Sequence, residues 1–96
     1  MNAKKEVIMP RISQFFGILI YMYYNDHMPP HFHAKWAEHE AIIVIGTTRI
    51  YAGSLPKSQL DLVLRWAALH NEELMRNWEL ARKGKSLNPI APLVEK

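Results

Sequence analysis

The sequence predicts an α+β domain: an antiparallel four-stranded β-meander followed by two C-terminal helices packed on one of its faces. Three observations carry that reading. Short runs rich in apolar, β-branched and aromatic residues fill the first half of the chain, at Gln14 to Tyr24, His31 to Trp36, Ala41 to Ile45 and Arg49 to Ala52, with turn-forming residues between them. Beyond Gly53 the apolar residues recur with the period of a helix. The strands all precede the helices, and that order favours segregated layers over alternating βαβ units.

Taken in order, residues 1–8 are expected to form a flexible extension ahead of a single domain spanning 9–96. Gln14 to Tyr24 reads as one strand, apolar on both faces and central in its sheet. Ile18, Ile20, Met22 and Tyr24 face one way, and Leu19, Tyr21 and Tyr23 the other. A proline loop leads to a second strand at His31 to Trp36. Ala37-Glu38-His39-Glu40 makes a turn into the third strand, and Gly46-Thr47-Thr48 is a tight polar connection to the fourth.

Gly53-Ser54-Leu55-Pro56 is a helix-start signal, because proline in the first turn loses no hydrogen bond. Leu60, Val63, Leu64 and Ala67 then recur at i, i+3, i+4 and i+7, a stripe that packs on a sheet and is thickened by Leu62, Trp66 and Leu69. Asn71 is a good N-cap and acids follow it, so a second helix is expected over Asn71 to Lys83, with Leu74, Met75, Trp78 and Leu80 apolar and Gly84 as its end. Residues 84–96 carry Pro89 and Pro92 among Leu87, Ile90, Leu93 and Val94, which suggests an extended tail docked on the body.

Composition narrows the function classes. The chain has 96 residues, no cysteine, 49% hydrophobic and 22% charged residues, an ordinary balance for one globular domain with a single core. Without cysteine there is neither a disulfide framework nor a thiolate ligand, which suits a reducing cytoplasm, the expected location. The longest apolar runs fall far short of the roughly 18 residues of a membrane span. No apolar segment follows Lys4 and Lys5, so neither membrane nor secretory signal is expected. A net charge of +3 makes RNA or DNA conceivable as a partner, but Glu72 with Arg76 and Glu79 with Lys83 are spaced as helix-surface ion pairs, which weakens a phosphate-binding footprint.

The chemistry concentrates in Asn25-Asp26-His27-Met28-Pro29-Pro30-His31-Phe32-His33-Ala34, which holds three of the chain's five histidines. The two prolines stiffen the loop. Strand alternation places His31, His33 and Lys35 on one face and Phe32, Ala34 and Trp36 on the other.

With those motifs in place, the chain resembles an uncharacterised prokaryotic family known as domain of unknown function 4160. The residues that carry the resemblance are Met9-Pro10-Arg11-Ile12, the string Asn25 to His33, Trp66, the Glu73-Leu74 to Trp78 segment and Ile90-Ala91-Pro92-Leu93. Members of that family typically begin at the Met-Pro pair, so the resemblance implies that Met1 to Ile8 are an extension. The resemblance implies a small soluble protein whose partner is a small protein encoded by the neighbouring gene, in an arrangement like that of toxin–antitoxin pairs. It supplies no catalytic residues.

Three readings of the histidines follow. Two imidazoles at i and i+2 on a strand can converge on one ion, with His27 or Asp26 completing the site, so Asp26, His27, His31 and His33 are candidate ligands for a divalent transition metal such as zinc, manganese, iron or nickel. Alternatively, His31 and His33 act as an acid–base pair on RNA, with His27 as a substitute and Lys35 or Arg49 stabilising phosphate charge, as in a small ribonuclease. In the third reading the histidines order the loop and leave an exposed, histidine-rich surface for a protein partner. A component of a toxin–antitoxin-like pair acting through that surface is the function this reading favours, with a histidine- or metal-dependent hydrolase as the alternative.

Overall fold

The computed structural model describes residues 10–94, so the extension expected over residues 1–8 lies outside the described residues. The elements are β1 (Arg11–Phe15), β2 (Ile18–Tyr21), β3 (His31–Trp36), β4 (His39–Val44), β5 (Ile50–Ser54), α1 (Lys57–Leu69) and α2 (Asn71–Arg82). The strands form one antiparallel sheet in the order β1-β2-β3-β4-β5, followed by the two helices, which is the α+β meander expected from the sequence.

The sheet has five strands where four were expected. The long apolar run from Gln14 is cut by a tight turn at Phe16 and Gly17, both at positive φ (49° and 77°), and folds back as the β1–β2 hairpin. Two successive residues at positive φ give the backbone twist that short hairpin turns need. The turn between β3 and β4 is likewise shorter than expected. It takes only Ala37 (φ 52°) and Glu38, and so Glu40 becomes a strand residue paired opposite Lys35.

One face of the sheet makes the core. Ile18, Ile20, Phe32, Ala34, Ala41 and Ile43 are fully buried there against Leu62, Val63, Trp66 and Ala67 of α1 and Leu74, Trp78 and Ala81 of α2. Trp66 is the centre of this layer, its ring 5.2 Å from Phe15 and 5.8 Å from Phe32. The strand pairing puts Leu19, Tyr21, His33, Lys35, Glu40, Ile42 and Ala52 on the opposite face. α1 and α2 break at His70, which is the C-cap of one and the N-cap of the other. Lys57 and Asp61 pair on the exposed side of α1, and among the described residues the expected Glu72–Arg76 and Glu79–Lys83 pairs do not form.

The segment after Gly84 crosses the helices and returns to β1. Ile90 is buried, its N–H donates to the Ile12 carbonyl, and the Trp66 indole N–H donates to the Ala91 carbonyl. Asn77, buried inside α2, clamps the same segment by donating to the Asn88 carbonyl (2.9 Å) and accepting from the Asn88 N–H (2.8 Å).

Candidate metal centre

The loop between β2 and β3 folds over the open face of the sheet and lowers Asp26 onto the histidines of β3. Asp26 Oδ2 stands 2.9 Å from His31 Nε2 and 3.4 Å from His33 Nε2. Asp26 Oδ1 accepts the His27 backbone N–H at 2.8 Å and lies 3.6 Å from His27 Nε2. All three histidines therefore turn Nε2 toward one carboxylate. Ligating atoms of Asp26, His27 and His31 can all lie within 4.8 Å of one another.

The other nitrogen of each ring is tied elsewhere. His31 Nδ1 donates to the Pro29 carbonyl (2.7 Å), His27 Nδ1 donates to the Met28 carbonyl (3.1 Å), and His33 Nδ1 donates to Glu40 Oε2 (3.0 Å). A carbonyl oxygen only accepts, so Nδ1 carries the proton in His27 and His31; the Glu40 carboxylate makes the same demand of His33. In the neutral rings Nε2 then presents a lone pair to the Asp26 oxygens, and something positive, a proton or a metal ion, must lie between them. Partial burial alone would raise the Asp26 pKa, but the His27 N–H together with His31 and His33 outweighs it and holds the carboxyl below its ordinary value.

Burial divides the cluster. The side chains of His31 and His33 are only 1% and 8% exposed, that of Asp26 15%, and that of His27 58%. The histidine-rich face expected to be open is therefore largely closed, and His27 is its solvent side. Aromatic rings do much of the closing: Trp78 lies 5.3 Å from His31, and Tyr23 lies 4.3 Å from His33. Burial, followed by the carboxylates of Glu40 and Asp26 and by the neighbouring Tyr21, pushes the Tyr23 phenol above its usual pKa. Next to His33, a groove of about 350 Å³ is lined by Glu40, Ile42, Ala52 and Gly53.

A model of the family described as Domain of unknown function (DUF4160) matches residues 17–79. The chain belongs to this family. The match takes in the whole metal-ligand candidate set and Trp66 to Trp78, while Met9 to Ile12 and the segment Ile90 to Leu93 fall outside it. No curated protein and no solved structure matches the chain.

In this DUF4160 chain three of the candidate ligands, Asp26, His27 and His31, come together and His33 joins them through Asp26 at 3.4 Å, whereas the two candidate phosphate clamps do not. Lys35 lies with Nζ 5.8 Å from the centre of the Tyr21 ring, and Arg49 is exposed at the turn before β5. Glu40, read from sequence as a turn residue, proves to be the group that orients His33. Its signal was available: with a two-residue turn at Ala37-Glu38, Glu40 falls on the histidine face of the next strand. Tyr51 was also missed, and a local irregularity of the ladder explains why. Ile42 pairs with Ala52 and Ile43 with Ile50, so Tyr51 is an extra residue in β5, and its ring reaches 5.8 Å from His27 and 6.2 Å from His31.

Proposed function

We propose that this chain holds one divalent transition-metal ion at Asp26, His27 and His31, with His33 completing the set, and that it is a metal-dependent hydrolase. The observation that supports this reading is the convergence of three Nε2 atoms on one carboxylate while each Nδ1 is tied to an oxygen acceptor. Carbonyl and carboxylate partners of this kind are the outer contacts that fix metal-binding histidines. Donor atoms about 2.1 Å from one ion stand about 3.0 Å apart at right angles and about 3.4 Å apart at tetrahedral angles. The separations of 2.9 and 3.4 Å from Asp26 Oδ2 are close to those values, and His27 Nε2 stands 3.6 Å from the other carboxylate oxygen, Oδ1. An all-nitrogen and oxygen set without thiolate suits zinc, manganese, iron or nickel.

Bound there, such an ion would supply Lewis-acid chemistry for hydrolysis. The residues supply the rest. Met28 and Pro29 carbonyls and Glu40 orient the rings, Trp78 and Tyr23 keep water from the inner side, and the exposed His27 marks the side from which a substrate reaches the centre. Direct acid–base catalysis on RNA by His31 and His33 has less support, because both rings are buried and face Asp26 rather than solvent.

Protein purified without chelator should carry close to one equivalent of a transition metal by elemental analysis. Asp26→Asn and His31→Ala should lose most of it, and His39→Ala, at the start of β4 with its ring against Trp36 and outside the ligand set, should keep it. Metal content indifferent to Asp26 and His31 sinks the reading.

A second reading, a component of a toxin–antitoxin-like pair that binds a protein partner, draws support from β5. This edge strand is exposed along its whole length and includes the apolar side chains of Ile50 and Tyr51. Unpaired edges accept further strands. Expressing this chain alone and together with the small protein encoded beside it, and scoring growth and co-purification, tests that reading; no growth effect and no complex removes it.

A further inference from the structure

Tyr51 stands out among the described residues outside the ligand set because three independent features meet in it. It is the extra residue of a bulge, a device that re-aims a side chain. Its ring runs nearly parallel to His31 (12° between planes) and also borders His27. Yet 48% of the residue is exposed, whereas the rings on the inner side of the cluster are covered. A tyrosine that served only to shield the histidines would bury more of itself. A further exposed apolar group is Met28, next to His27 in the loop.

The solvent side of the cluster is thus an aromatic and apolar rim, while the acceptor groups lie behind it. Lys35 and Arg49, the cations that would favour a bare phosphate, are not part of the rim's ring contacts. We propose that Tyr51 is a platform for the substrate: the ligand class is a planar aromatic body carrying an oxygen-donor group, with the body stacked on Tyr51 and the donor group directed past His27 to the metal. This inference rests on the metal reading above. Stacking of paired aromatic groups adds roughly 0.5–1.5 kcal/mol beyond area burial, which corresponds to an advantage of up to about tenfold in affinity.

The test uses the full chain loaded with cobalt(II), whose visible absorption changes when a donor enters its coordination shell. Benzohydroxamate and acetohydroxamate share the metal-binding group and differ in the ring. Each is titrated into the wild type, Tyr51→Phe and Tyr51→Leu, and the ratio of the two affinities is compared between proteins, which cancels the intrinsic difference between the probes. The expected result is an aromatic preference about tenfold larger in the wild type than in Tyr51→Leu, and retained in Tyr51→Phe. Tyr51→Leu keeps an apolar side chain at the same strand position, and its cobalt content is measured alongside. Equal ratios in the wild type and Tyr51→Leu overturn the platform and leave the metal reading standing. Wild type that takes up no cobalt overturns both, and cobalt-loaded protein whose spectrum ignores both probes overturns the platform by showing no access from the rim.

Discussion

Gly53 lies so close to Glu40 that a Cβ at position 53 would stand 2.1 Å from the Glu40 carbonyl oxygen, and its φ is +74°. Both facts demand glycine, since the clash is with backbone and cannot be relieved by a rotamer change. Gly53→Ala is expected to destabilise the fold by at least about 2 kcal/mol, seen as a lowered melting temperature, because it combines strained φ with a pushed strand. A melting temperature equal to that of the wild type would show that β5 shifts at little cost.

Glu40 itself acts on the candidate centre through His33 Nδ1. Removing the acceptor frees the ring to turn and change tautomer, so Glu40→Ala should weaken metal affinity roughly 10- to 100-fold while leaving one site per chain. Competition against a chromophoric chelator measures this, and unchanged affinity would place His33 outside the ligand set.

Asn77→Ala removes both hydrogen bonds to Asn88 and leaves the backbone groups of that residue without their partner. A loss of about 2 kcal/mol in denaturant unfolding is expected. Deleting residues 87–96 should cost more, because it also uncovers the Ile90 site and strips the Trp66 indole of its acceptor. Equal stability of the truncated and full chains would contradict the docking of this segment.

Tyr23 should shape the alkaline limb of stability. Its folded pKa is raised, so its contribution is fully present below the unfolded value near 10 and is lost as pH rises through the folded value. Thermal unfolding of Tyr23→Phe should therefore fall less steeply with pH above about 10 than that of the wild type. Parallel curves for the two proteins would rule this out.

Local rules made much of the fold legible. His31 to Trp36 was readable as a strand because alternation and the preceding prolines act within a few residues, and Gly84 marked the end of the second helix for the same reason, whereas the expected N-cap Asn71 proves to be the first helical residue behind His70. The β1–β2 hairpin escaped because its turn, Phe16-Gly17, sits inside a continuous apolar run and carries only one residue of turn type. The crowding of Asp26, His27, His31 and His33 into eight residues was legible too.

What those four residues do to one another was decided by tertiary structure. Whether His31 and His33 face solvent depends on the β2–β3 loop closing over them and on Trp78 arriving from α2, and neither event is written in the alternation of β3. The direction of each Nε2 depends on acceptors for Nδ1, and for His33 that acceptor, Glu40, comes from the neighbouring strand at a register set by a two-residue turn. Tyr51 reaches the cluster only because one extra residue in β5 re-aims it. The sequence by itself determined which side chains are near one another along the chain. Their lone pairs, burial and neighbours were set by contacts between distant segments, because hydrogen-bond direction and access to water are properties of the packed arrangement and not of any one segment.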